Sequence, residues 1–424
     1  MKKVLLFTLV MAVLFTFTFG AQTLNFLMMS GSGAREFIEE VAPQFEEETG
    51  IKVDVDFSGW GEGWTKIMAA VASGEGPDVS QVGTTWVGAL QGTGAFERLT
   101  DKTDEFGGKS AYLGGPWSTS GYDNEVYAMP WFADIRALVY RKDLLEKYDL
   151  PTPPKTWGDL LYSAMVLKEK GEIEYPMGLR GKGNGHYVGS FLWQNNTDIV
   201  SEDGKEVLLD TEKAFESFKY WSDMLNEYDL MSPGLADMGH TEICVSFFNG
   251  NVGFMYPGPW FVLKDDMDKT SEWVKTGKAA VALQPGKNED LRTGFTGGSD
   301  LMIFKDSDNK EAAEKWVKFL IRPEIQAVLA EKMFVAPAVK KAYNEPFFDE
   351  EPLAQMWEDF ERVGDAGSHY PITPAWGAME SFVPDVIVDI FSMNANGTLN
   401  DESLRELLND YDQQLQNVLD DYVQ

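Results

Sequence analysis

The chain has 424 residues, with 36 lysines and arginines against 68 aspartates and glutamates, and a formal net charge of −32. Such a polyanion is repelled by nucleic acid and by anionic membrane surfaces, which excludes them as partners. A hydrophobic fraction of 44% excludes global disorder, and the length suits two domains better than one core.

Lys2 and Lys3 precede an uncharged apolar stretch from Val4 to Phe19, and Thr18 and Gly20 put small residues before a cut at Ala21. This is the layout of a secretory signal peptide, so residues 1–20 are expected to be removed. The one cysteine, Cys244, lies far from that cut. It allows neither an intramolecular disulfide nor a lipid anchor at the new N-terminus, and the expected location is the periplasm. The apolar run Leu24–Met29 then predicts a buried strand. Phe37, Ile38, Val41 and Phe45 fall at helical spacing and predict a helix that stops at Gly50. Residues 51–57 alternate as a strand, a second helix is expected over 63–72, and Pro77–Val82 starts a third strand. Strand–helix alternation of this kind implies an open sheet with helices on both faces, whose ligands sit beyond the carboxyl ends of the strands.

Further on, Ala137–Tyr140 reads as a strand, and Thr156 as the N-cap of a helix from Trp157. Residues 178–189 are glycine-rich and read as a loop. Helices are expected over 211–227, 309–321 and 404–423, and strands over 252–256 and 301–304. There is no repeat and no low-complexity linker, so any domain boundary is crossed by ordinary strands.

Several segments stand in a telling order: Phe45–Val53 with Glu48-Thr49-Gly50, Ala72–Val79 with Gly76-Pro77-Asp78, and Tyr127–Pro130. They continue with Leu138–Leu144, Pro153–Trp157, Phe248–Met255 with Gly258-Pro259-Trp260, and Gly297–Ile303. Across nearly the whole mature chain this set resembles the carbohydrate-binding family of extracellular solute-binding proteins, the maltose-binding-protein-like group that serves ABC importers. The resemblance implies an α/β, two-lobed periplasmic-binding-protein fold of type II. Each lobe is then an open sheet flanked by helices, with three crossovers at the hinge. One lobe would hold 21–133 plus 288–334, the other 134–287 plus 335–424. It also implies a monomer that closes on a carbohydrate and docks on the importer's permease subunits, with no cofactor, no metal and no catalysis.

A pyranose offers apolar C–H faces and a rim of hydroxyls, so it is gripped by flat aromatic rings and planar polar groups. Trp86 follows a strand at its carboxyl end, Trp260 follows a Gly-Pro turn, and Trp376 lies in Pro371–Glu380. All three occupy positions similar to stacking aromatics of the family. Trp60, Trp131 and Trp193, in segments flanked by Gly, Pro or Asn, join the set, whereas Trp157, Trp221, Trp273 and Trp316 fall on helical patterns as core. Asp134 stands where the family often carries a carboxylate for sugar hydroxyls, and Arg136 shares its strand face. Together they would grip vicinal hydroxyls or form a structural ion pair. Asn184 and His186 on the glycine-rich stretch are polar candidates, as is Asp300. Gly297 and Gly298 would let backbone N–H groups approach the ligand or simply make a turn. Asp78 is expected to cap a backbone turn. Around Gly31–Arg35 the charged sugar contacts of maltose binders are not matched, so maltose itself is not implied. Two alternatives keep other chemistry open. The same fold would bind a polyamine or a uronate, and a secreted glycan-processing enzyme would need a pair of carboxylates, although no acidic pair stands in a catalytic motif.

Overall fold

The structure, a computed structural model, describes residues 22–181, 185–262, 272–351 and 353–423. Among the described residues, ten strands make two sheets. The first joins β1 (Gln22–Met29), β2 (Ile51–Ser58), β3 (Val79–Gly83), β4 (Met129–Arg136), β9 (Phe295–Ile303) and β10 (Ala336–Pro337) in the order β10-β4-β9-β3-β1-β2. The second joins β5 (Leu138–Arg141), β6 (Met177–Gly178), β7 (Phe254–Met255) and β8 (Ala279–Ala282) in the order β6-β7-β5-β8. The parallel part of the first sheet is β2-β1-β3, as its strand–helix alternation requires, with Leu24 opposite Val53 and Phe26 opposite Val79. β9 enters antiparallel between β3 and β4.

Strand β1 is buried on both faces. Leu24, Phe26 and Met28 meet Phe37, Val41 and Phe45 of the helix Ala34–Thr49, while Leu27 and Met29 meet Ile67, Val82 and Met302 on the other side. The helix ends at Thr49 because the next residue, Gly50, turns left-handed at φ 71°, a conformation glycine adopts without strain. Thr156 caps its helix reciprocally with Asp159, the hydroxyl accepting from Asp159 N at 3.1 Å and the carboxylate from Thr156 N at 3.0 Å.

Three expectations need correction. Helix Trp60–Ser73 starts three residues ahead of the pattern, directly after Gly59, so Trp60 stands in its first turn. The glycine-rich stretch is a loop only in part, since His186–Trp193 is helical; its apolar residues Val188, Phe191 and Leu192 bury in the hydrophobic core that holds the second sheet. Strand β9 begins at Phe295, so Gly297 and Gly298 lie inside a strand opposite Asp134 and Ala133.

The chain passes from the first sheet to the second at Ala137, the single residue between β4 and β5, whose N–H donates to Pro257 O at 3.1 Å. It returns between β8 and β9 and leaves again after β10. No helix among the described residues is long and apolar enough to cross a membrane.

Candidate functional site

A cavity of about 720 Å³ opens where the carboxyl ends of β1 and β3 face the start of the second sheet's helices. Beyond β1 the chain runs through Ser30, Gly31 and Ser32; beyond β3 it runs through Thr84, Thr85 and Trp86. Trp86 stands edge-on to Trp60 (5.6 Å, 65°) and to Trp64 (5.6 Å, 62°), and Trp60 is 44% exposed at the rim. The floor is polar and fixed. Gln81 accepts from Met29 N at 2.8 Å and donates to Ser299 Oγ at 2.8 Å, which leaves the Ser299 hydroxyl hydrogen free to turn toward the cavity.

The opposite wall is built around Trp260. A Cβ on Gly258 would stand 2.3 Å from the Trp260 ring, so the indole folds back over a position that only glycine leaves open. The Arg136 guanidinium lies 4.3 Å from the ring centroid. Arg136 also holds Asp134 at two points, Nε to Oδ1 at 2.7 Å and Nη2 to Oδ2 at 3.0 Å. Arginine thus fixes both the ring and the carboxylate. Asp134 lines the cavity with the indole, whereas Arg136 stands behind them in a small recess with Arg180, His240 and Cys244.

Two histidines line this side. Burial pushes His240 down to about 3, with Arg136 and Arg180 adding to the effect. The same causes in the same order hold His186 well below its ordinary value. Both are therefore neutral at physiological pH. His186 Nδ1 lies 3.2 Å from the Tyr370 hydroxyl, and its ring sits 4.4 Å from that of Phe295. Glu380 reaches the cavity from the segment after the short helix Trp376–Met379; burial raises its carboxyl, and the neighbouring Thr85 hydroxyl offsets part of that rise. Four helices begin beside the cavity after a glycine, Gly33, Gly59, Gly185 or Gly239, with no capping side chain. Part of each first turn is already engaged, since Ala34 N donates to Gly31 O at 3.2 Å, Glu62 N to Gly59 O at 3.1 Å and Val188 N to Gly185 O at 2.9 Å.

Of the residues singled out in the sequence, Trp60, Trp86, Asp134, His186, Trp260 and Gly298 line this one cavity. Others do not. Trp131 lies within β4 rather than in a loop, and its ring packs on Phe26 (5.9 Å) and Phe37 (6.0 Å) under the sheet. Trp193 closes the helix His186–Trp193, buried and parallel to Phe295. Trp376 is fully buried, 4.7 Å from Tyr370, and stands one ring deeper than the wall. Asp300 is fully buried on the same strand face as Met302, beside Thr119, where burial holds its carboxyl well above its usual range. Gly297 does not line the cavity; a Cβ there would meet Phe295 at 2.6 Å. At Gly298 a Cβ would stand 2.1 Å from Phe132 O, and φ is 141°. Asn184 lies outside the described residues. Asp78 does secure a turn, accepting from Asn25 N at 2.7 Å and from Ser307 Oγ at 2.6 Å.

Sequence reasoning missed Glu380, Ser299, Gln81, Thr84, Thr85 and His240. Three carried a signal: Glu380 ends the Pro371–Glu380 motif one helical turn beyond Trp376, and Thr84 and Thr85 adjoin Trp86. Gln81 and Ser299 carried none, because their roles come from pairing β3 with β9.

Among known proteins, residues 30–327 match the family described as bacterial extracellular solute-binding protein. The diacetylchitobiose binding protein DasA of Streptomyces coelicolor is 24% identical over 389 residues, covering 86% of this chain and 83% of its own. A maltooligosaccharide ABC transporter solute-binding lipoprotein of Streptococcus pneumoniae is 28% identical over 330 residues, covering 73% of this chain and 71% of its own. Among solved structures, the sugar-binding protein MalE of Xanthomonas citri superposes with a TM-score of 0.81 at 23% identity, over 94% of this chain and 98% of that one. That likeness bears out the two-sheet α/β architecture expected from the sequence. The match over residues 30–327 covers well over half of the sequence, and the chain belongs to the bacterial extracellular solute-binding protein family.

Proposed function

We propose that the protein captures a mono- or oligosaccharide between its two sheets and delivers it to an ABC importer. The observation that carries this reading is the cavity itself. It sets the indoles of Trp60 and Trp86 on one wall against Trp260 on the other, with the Asp134–Arg136 pair beside Trp260. Rings of this kind suit the C–H faces of a sugar, and fixed acceptors and donors suit its hydroxyl rim. The relatives named for diacetylchitobiose and maltooligosaccharide support a saccharide over a polyamine or a free uronate. The importer is proposed on the same ground.

In this reading residues 21–133 plus 288–334 move as one lobe and 134–287 plus 335–424 as the other. Ligand binding closes them about the crossings near Ala137 and the β8–β9 segment. The protein acts as a monomer, without catalysis or cofactor, outside the cytoplasm in a periplasmic space, with residues 1–20 as the export signal.

A thermal-shift screen of neutral sugars, uronates and polyamines, followed by tryptophan fluorescence, tests the reading. A ligand above its dissociation constant raises the melting temperature by mass action. A sugar is expected to raise it and to change the fluorescence. A shift produced by a polyamine alone would overturn the reading, and turnover of a glycan would overturn the binding-only part.

A further inference from the structure

Resting on that saccharide reading, we propose that Glu380 is a specificity-determining residue. Its carboxylate accepts a hydrogen-bond donor that the ligand brings to the Trp60–Trp86 end of the cleft.

Two carboxylic acids, Asp134 and Glu380, line the cavity, and they are placed differently. Asp134 is neutralised on the spot, since both of its oxygens face the Arg136 guanidinium. Glu380 forms no salt bridge among the described residues. Beside it stands the neutral Thr85 hydroxyl, which lines the same cavity, and burial is the largest influence on it. The two arginines that depress His186 and His240 do not figure among the groups acting on Glu380. The cleft is therefore bipolar. Its basic charge gathers behind Trp260, and among the described residues its one uncompensated acid stands with Thr85, next to Trp86 and Trp60.

A carboxylate withdrawn from water without a counter-charge is costly, and a donor that arrives with the ligand removes that cost. Thr85 stands beside the carboxylate as a neutral hydroxyl, which leaves lone pairs of Glu380 for the ligand. Thr85 follows β3 of the first sheet, whereas Glu380 precedes the helix Val383–Ala395, whose Val386, Ile387 and Ile390 join the core that holds the second sheet. A ligand bonded to Glu380 thus touches a contact that already bridges the two sides of the cleft. The donor is a sugar hydroxyl or the ammonium of an amino sugar; both satisfy a carboxylate, and an ammonium also suits the neighbouring indoles.

The test is calorimetric titration of wild type, Glu380→Gln and Thr85→Val with glucosamine disaccharide, its N-acetylated form and a neutral glucose disaccharide. Glu380→Gln is expected to weaken binding about ten- to a hundredfold without lowering the melting temperature of the free protein. A loss confined to the amino sugar identifies an ammonium donor, and a loss that extends to neutral sugars identifies a hydroxyl. Thr85→Val leaves the acid in place and is expected to weaken binding several-fold, so it carries the test even if the glutamine variant misfolds. Wild-type affinity for every sugar in both variants would overturn the assignment. If the wild type bound saccharides of other kinds and neither variant altered that binding, the assignment would fall while the saccharide reading stood. If the wild type bound no saccharide at all, both would fall.

Discussion

Trp260 and Trp376 lie on the same side of the cleft, one ring apart in depth. Trp260 has Arg136 against its ring and lines the cavity. Trp376 sits behind Tyr370, which in turn touches His186 of the wall, and no part of it reaches solvent. Sequence context alone does not separate them, since each follows a proline within two residues. What separates them is the element that carries each one. Trp260 stands in a 3₁₀ turn with its indole folded back over the preceding Gly258, while Trp376 opens a helical turn whose first residue points into the core. The wall and the layer beneath it thus use the same residue type for opposite ends, recognition in one and packing in the other.

Mutations can break or sharpen that contrast. Trp376→Ala should cost ~3–5 kcal/mol of folding stability, measured as a shift in the denaturant midpoint, because it opens a cavity in a closed core. A variant that kept its stability but lost ligand would move Trp376 to the wall. Trp260→Ala should do the reverse, weakening sugar binding about thirtyfold, or ~2 kcal/mol, with a small change in stability. Wide loss of stability would return it to the core.

Asp300→Asn probes the buried layer through pH. Its folded carboxyl is held above the unfolded value, so the acid contributes stability at low pH that is lost as pH rises through the folded value. The asparagine variant should therefore match wild type near pH 4 and exceed it at pH 8 by about 1–2 kcal/mol, read from melting temperatures across that range. A constant difference at all pH values would mean that Asp300 is ionised when folded. Smallest of all, Trp60→Ala at the rim should alter stability by less than ~0.5 kcal/mol and weaken ligand only several-fold.

The fold was legible to the extent that it rested on local periodicity. The helix Ala34–Thr49 and the capped helix from Trp157 follow from spacing and capping chemistry that act within a few residues. The start of β9 was not legible, because glycine at 297 and 298 lowers strand propensity and the strand exists there through pairing with β4. The same limit governed the site. Asp134 and Arg136 could be read as partners because they are two apart on one strand, and they do pair. The Gln81–Ser299 bond and the contact of Thr85 with Glu380 join residues hundreds of positions apart in sequence, beyond the reach of any local pattern.

Gly298 bears on how this cleft could be made to accept another ligand. With the Phe132 carbonyl 2.1 Å from where its Cβ would stand and a backbone that side chains rarely adopt, the position has one viable occupant. Its neighbour Ser299, and Thr84 and Thr85 across the floor, line the same space from ordinary backbone positions. A randomised library should hold 298 constant and spend its diversity on those three. The cleft is then an instrument with a fixed rail and adjustable stops, and specificity can be retuned without refolding the sheet that carries it.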